Sequence, residues 1–312
     1  MIAGGDTQPS WQSRLCASGI RLLVRREQWG RDHELARRLR RILGAPRLYA
    51  ALRTYGVSIR PSTHPQIRGE WIHPRDPTDR VILYVHGGGF VSCSAATHRP
   101  ITCQLARSTG ASVFALDYPL APEHPCPAAP NAVAAAYRWL ILDRVTPSRL
   151  AVAGDSAGGN LALGLLARAR DASIPLPACG VALSPWLDLT GGSPSVQSND
   201  GHCAMFRPRN MTDCAHTYLG GTQPADPVAS PLLGDLSALP PVLLQVGSTE
   251  LLRDDAVRAH EKIQAVGGES TLQVFDGMFH GWHMLDGIVP EARAAIREVA
   301  TFLARHMGTG RR

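Results

Sequence analysis

Short apolar runs recur along this chain at 81–85, 112–116, 150–153, 180–183, 242–246 and 271–275. They are rich in Val, Leu and Ala and are bounded by Gly, Pro or charged residues. That pattern predicts strands buried on both faces. Between them the apolar positions recur at helical spacing, which predicts helices over about 98–108, 130–142, 157–170, 254–266 and 290–303. Strand–helix alternation at this interval predicts an α/β fold: a mostly parallel central sheet with helices on both faces. The C-terminal ends of such strands share one edge, where active-site loops gather.

Two stretches fall outside the alternation. Residues 1 to about 52 read as helical, with Leu35, Leu39, Ile42 and Leu43 at helical spacing among arginines. Residues from about 188 to 235 are rich in Gly, Pro, Ser and Asn around a helical centre at 208–219. Both are placed to cover the loop-bearing edge.

Composition adds little to this but removes several classes. The chain has 312 residues, 44% of them hydrophobic, and a formal net charge of +6. The basic excess is concentrated in Arg21, Arg25, Arg26, Arg31, Arg37, Arg38, Arg40 and Arg41. This reads first as the solvated face of amphipathic helices. Peripheral contact with an anionic membrane is left open, and nucleic acid is not expected, because no binding motif accompanies the charge. The 7 cysteines are odd in number and lack C-x-x-C spacing, so reduced thiols and a cytoplasmic location are expected, with no metal and no cofactor. No apolar run reaches the ~18 residues of a membrane span.

The chemistry lies where strands end. Gly154-Asp155-Ser156-Ala157-Gly158 fits G-x-S-x-G between the strand at 150–153 and a helix. Glycines at 154 and 158 allow a sharp turn that lifts the Ser156 hydroxyl, and the helix start at Ala157 favours developing negative charge. "VHGGGF" follows the strand at 81–85, so His86, Gly87, Gly88 and Gly89 form a loop whose backbone can approach a ligand. No Lys-Ser or Lys-Thr follows, which excludes a P-loop and favours an oxyanion hole.

A serine nucleophile needs a base, and in this order of elements the acid precedes the histidine. "FDGMFHGWH" follows the last strand, so His280 or His283 can serve, whereas His260 and His306 fall within helices. "VGSTELLRDD" follows the strand at 242–246 and offers Glu250; Asp254 and Asp255 lie where a helix should start and are expected to cap it. Asp276 is too close to His280 along the chain to come from a separate loop.

These motifs together resemble the hormone-sensitive-lipase-like α/β-hydrolase esterases, in particular bacterial ones. The HGGG loop, the GDSAGG elbow, "THR" at 97–99, "SPWLDL" at 184–189 and "DYPLAPEHPCPAA" at 117–129 all match in order. The last carries Pro119 and Cys126 where the family has Arg and Phe. The resemblance runs from about residue 50 to the C-terminus.

It implies an α/β-hydrolase fold with a helical cap. Residues 1–52 would form the N-terminal cap helices, 53–312 the catalytic domain, and about 188–222 a second cap segment. It also implies a cofactor-free serine esterase acting on short- to medium-chain acyl esters. Ser156 would be the nucleophile, His280 the base, and Gly88, Gly89 and Ala157 the oxyanion donors. Glu250 would stand where many members carry Asp. His86, Gly87 and Asp155 would support the loops, and Glu123 and His124 would tie structure beneath the site. The same machinery would serve amides or lactones. A non-catalytic ligand-binding protein of this fold, as in some plant hormone receptors, would have lost the histidine. Homodimer formation is left open. Cys203-Ala204 departs from the family's Asp-Pro in the second cap segment, which weakens the carry-over there.

Overall fold

The computed structural model describes residues 8–25, 30–44 and 47–308, with 47 and 48 by backbone only. Arg26 and the rest of 1–7, 26–29 and 45–46 in the predicted cap region lie outside the described residues. Three helices come first: α1 (Trp11–Leu23), α2 (Asp32–Leu43) and α3 (Arg47–Leu52). The strands β1 (Val57–Pro61), β2 (Gly69–Pro74), β3 (Val81–Val85), β4 (Ser112–Leu116), β5 (Leu150–Asp155), β6 (Cys179–Leu183), β7 (Val242–Gly247) and β8 (Ser270–Phe275) form one sheet in the order β1-β2-β4-β3-β5-β6-β7-β8. Helices α4 (Arg99–Thr109), α5 (Ala128–Asp143), α6 (Ala157–Asp171), α9 (Arg253–Ala265) and α10 (Pro290–His306) follow strands, while α7 (Ser195–Ser198) and α8 (Pro208–Leu219) lie in the segment between β6 and β7.

From β4 to β8 every neighbouring pair is parallel, as expected. Residues alternate between two cores along each strand. Leu83, Val85, Phe114, Val152 and Leu244 face α5, α6 and α9. Ile82, Tyr84, Val113, Ala153 and Leu243 face α4 and α10. With both faces covered, period-two alternation vanishes from the sequence and the strands read as apolar runs.

Strands β1 and β2 escape the sequence reading. They pair antiparallel with each other, and β2 pairs antiparallel with β4. Their polar content hides them. Ser58, Arg60 and Pro61 on the edge strand are exposed. Glu70 is buried in β2 because Arg99 of α4 grips its carboxylate at 2.9 and 2.7 Å. Edge strands commonly carry charge and proline, which discourage pairing with other chains.

The turn between β5 and α6 constrains the centre of the sheet. Ser156 sits at φ 53°, ψ −120°, a conformation that costs roughly 1–3 kcal/mol and persists only when its surroundings hold it. A Cβ on Gly154 would stand 2.3 Å from the carbonyl oxygen of Gly158, and one on Gly158 would stand 2.0 Å from that of Val85. The first turn of α6 therefore rests directly on the end of β3. We expect Gly158→Ala to lose more than about 3 kcal/mol of stability or to fail to fold. Gly164→Ala in the same helix meets nothing closer than Pro231 Cβ at 3.9 Å and should gain up to ~1 kcal/mol. Thermal unfolding of the pair measures both; equal effects would contradict the close approach.

Candidate active site

The elbow presents Ser156 at the C-terminal edge of the sheet. Its N–H donates to Leu183 O at 2.8 Å, which locks the turn to β6. His280, in the loop after β8, approaches from the far end: its Nε2 lies 3.0 Å from Ser156 Oγ. Its Nδ1 lies 2.6 Å from Glu250 Oε2, in the loop after β7. A carboxylate only accepts, so Nδ1 carries the proton and Nε2 is left to accept from the serine hydroxyl. The other oxygen of Glu250 accepts from Ser184 Oγ and from the Gly247 N–H, both at 2.7 Å. All of these side chains are buried. A hydroxyl can thus pass its proton to an imidazole whose cation a buried carboxylate would stabilise.

The other candidates are placed elsewhere. His283 is buried against Gln245, with Nε2 at 3.2 Å from its Oε1, and burial pushes its ring down to about 4. Asp276 accepts from Ser248 Oγ at 2.9 Å. Asp254 accepts from Arg253 Nε at 2.7 Å. Asp255 accepts the N–H groups of Leu187 and Asp188 at 2.7 and 3.0 Å. Neither caps α9, whose N-cap is Leu252; both lie within its first turn, at the second and third helical positions, so the expected capping role is corrected. Glu123 and His124 are exposed rather than beneath the site. Arg40 of α2 holds Glu123 by hydrogen bonds at 2.8 and 2.7 Å, which bring its carboxyl down to about 2.

The oxyanion-type donors follow from where the carbonyls go. In a trans peptide the C=O and the next N–H point in opposite directions. His86 Nδ1 draws the Gly87 carbonyl to 2.7 Å, so the Gly88 N–H turns the other way. Ser92 draws the Gly88 carbonyl through its N–H at 3.1 Å and its hydroxyl at 2.7 Å, which turns the Gly89 N–H away. Trp186 and Asn160 draw the Ser156 carbonyl at 3.1 and 3.2 Å, which does the same for Ala157. Positive φ at Gly88 (113°) and Gly89 (63°) permits the loop; at Gly88 a Cβ would meet Ser92 O at 2.3 Å. Phe90, next along, stacks on Tyr218 of α8 with centroids 3.8 Å apart.

Beneath this loop lies a polar knot. Asp155 Oδ1 accepts from Tyr84 OH at 2.7 Å and from the Gly87 N–H at 3.1 Å, and its Oδ2 lies 3.3 Å from His98 Nε2. Burial opposes its charge, yet His98 and Tyr84 together hold the carboxyl below the usual range. Burial, with His98 nearby, pushes the His86 ring down to about 3, so His86 is neutral as it stacks on Tyr118 at 4.3 Å. His98 belongs to the "THR" motif and Ser184 to "SPWLDL"; the sequence marked both segments without showing what these side chains hold.

Over the site lies a cavity of about 340 Å³. Ile20 of α1 and Leu39 and Ile42 of α2 line it with Met205, Phe206 and Met211 from the segment between β6 and β7. The apolar stripe of α2 therefore faces the site, as its spacing suggested. The basic residues around it are partly engaged within the molecule: Arg31 pairs with Asp213 at 2.8 Å and Arg40 with Glu123. Arg37 and Arg41 are exposed. No helix among the described residues is long and apolar enough to cross a membrane.

Comparison with known proteins bears on the fold and the family. A family model described as alpha/beta hydrolase fold matches residues 82–284. The chain is 40% identical to an acetyl-hydrolase of Streptomyces hygroscopicus, across 77% of this chain and 81% of that protein. It is 38% identical to an esterase of Acinetobacter venetianus, across 79% and 82%. The crystal structure of an esterase from the bacterial hormone-sensitive lipase family superposes with a TM-score of 0.87 at 36% identity, covering 97% of this chain and 100% of that one.

Replacing Asp155 by Asn would turn an amide NH₂ toward a donor that now meets a carboxylate oxygen. We expect a loss of about 2 kcal/mol from the unpaired buried group, read as a lowered denaturant midpoint at constant slope. An unchanged midpoint would show that the knot bears no load.

Proposed function

Because the chain belongs to the alpha/beta hydrolase fold family, among the bacterial hormone-sensitive-lipase esterases, we propose that Ser156, His280 and Glu250 act as the triad of a carboxylic ester hydrolase. The observation that carries this reading is the relay of 3.0 and 2.6 Å from Ser156 Oγ through His280 to Glu250. In this mechanism Ser156 Oγ attacks the ester carbonyl carbon as His280 Nε2 takes its proton. The N–H groups of Gly88, Gly89 and Ala157 receive the oxyanion, and losing one such donor typically costs roughly 3 kcal/mol of barrier. The intermediate collapses, and His280 hands the proton to the departing alcohol. Water then attacks the acyl-enzyme with His280 again as base, which frees the acid and restores Ser156. Glu250 holds the imidazole tautomer and stabilises the imidazolium. Ser184 and Gly247 hold Glu250 in turn.

The substrates in this reading are short- to medium-chain acyl esters. Support comes from the size of the cavity, near the lower end of small-molecule sites, and from its apolar lining under α1, α2 and α8.

A panel of p-nitrophenyl acyl esters of increasing chain length, with Ser156→Ala as blank, tests the activity. Turnover should be greatest at short to medium chains and vanish in the blank. A serine-reactive organophosphate should leave an adduct on Ser156 by mass spectrometry; its absence would sink the proposal. Glu250→Gln should lower kcat by roughly three to four orders of magnitude, while Asp254→Asn stays within about twofold. The reverse result would move the acid to Asp254.

A further inference from the structure

Residues 200–206 run between α7 and α8 without regular structure, yet they carry Met205 and Phe206 into the cavity. The Phe206 ring lies against the imidazole of His280, centroids 4.7 Å apart. Ala204 packs with Met278, Phe279 and Trp282 around the same histidine loop. Whatever holds this segment therefore holds the wall of the pocket and one face of the proposed base.

What holds it is a pair of guanidinium groups, Arg21 in the last turn of α1 and Arg25 in the turn just after it. Arg21 donates to Gly201 O at 3.0 Å and to His202 O at 2.6 Å. Arg25, one helical turn on and buried, donates to Cys203 O at 2.8 Å and to the carbonyls of Phe206 and Asp200, and pairs with Asp200 Oδ1 at 2.8 Å. Carbonyls of Asp200, Gly201, His202, Cys203 and Phe206 thus converge on two cations. Backbone carbonyls that point the same way repel one another, and the segment has no strand or helix of its own to offset this. A guanidinium fits because its fork reaches several acceptors at once and cannot lose its charge. Ile20 and Val24, beside these arginines in the chain, line the cavity themselves. The other end of α1 is anchored by Ser10, which bonds the Glu291 carboxylate at 2.6 and 2.8 Å.

We propose that Arg25, assisted by Arg21, is a positioning residue for ester hydrolysis: it gathers the carbonyls of residues 200–206 and so holds the Phe206 ring against His280 and sets the wall that the acyl chain meets. The proposal rests on the esterase reading above. It gives part of the basic N-terminal charge a task inside the molecule.

The test compares the full-length protein with Arg25→Ala, Arg25→Lys, Phe206→Ala and the double variant Arg25→Ala/Phe206→Ala. Hydrogen–deuterium exchange of peptides covering 199–207 reads the clamp without reference to activity. Exchange there should rise about tenfold or more in Arg25→Ala, with β3–β8 peptides unchanged, and Arg25→Lys should recover part of the protection. Kinetics on p-nitrophenyl acetate and hexanoate read its consequence. Arg25→Ala should lower kcat about tenfold on both and raise KM several-fold for hexanoate only. The double variant should be no worse than Phe206→Ala alone, since both changes act through one ring.

Unchanged exchange at 199–207 would overturn the proposal. So would losses that add in the double variant, or a normal kcat per organophosphate-titrated site. If Arg25→Ala does not fold, Arg25→Lys and Arg21→Ala carry the same comparisons. If the unmodified protein hydrolyses no ester, the esterase reading fails, and the exchange data alone decide whether the clamp holds the loop.

Discussion

The structure depends on one close approach: the first turn of α6 resting on the last carbonyls of β3. At that point a single methyl group would overlap backbone oxygen. The contact forces Ser156 into its strained elbow and simultaneously sets the depth at which the glycine loop after β3 can stand. Serine and loop are thus placed by the same atoms. Local strain at Ser156 is held by hydrogen bonds to β6 and to Trp186, so the cost is spread through the core rather than left in the turn.

From that contact outward the site is layered. Asp155 faces away from Ser156 and ties Tyr84, Gly87 and His98 into a buried knot that supports the loop from below. Glu250 and His280, the proposed acid and base, approach from the opposite side on the loops after β7 and β8. Ser184 joins the two halves, because it follows β6, beside the elbow, and donates to Glu250. Asn199, from the segment over the site, adds bonds to the carbonyls of Ser248 and Glu250 at 2.9 and 2.8 Å. Proposed acid and cover are therefore mechanically connected.

Much of this could be read from the sequence, for physical reasons that differ by element. Strands β3 to β7 are buried on both faces, so burial left an unmistakable apolar signature. The elbow and glycine loop were legible because only glycine tolerates such close backbone approach. Strands β1 and β2 were not: β1 is an edge strand that keeps charged and polar residues, and β2 beside it buries only alternate residues, Glu70 among them. The residues alone left His280 and His283 level in one short loop; the family resemblance singled out His280, and the structure sets His283 against Gln245 instead. Arg21 and Arg25, at and just past the end of α1, registered as charge alone. A one-dimensional reading cannot see carbonyl groups converge, because every residue has one.

The stack of Phe90 on Tyr218 couples α8 to the backbone of the glycine loop. Phe90 is the residue after the glycine loop, and Tyr218 sits in the covering helix α8. Raising α8 to admit a ligand would peel Tyr218 from Phe90 and slacken the backbone that aims the Gly89 N–H. Among the described residues α1 makes no such stack with the glycine loop and is held instead by hydrogen bonds from Arg21 and Arg25 to carbonyls of a different segment.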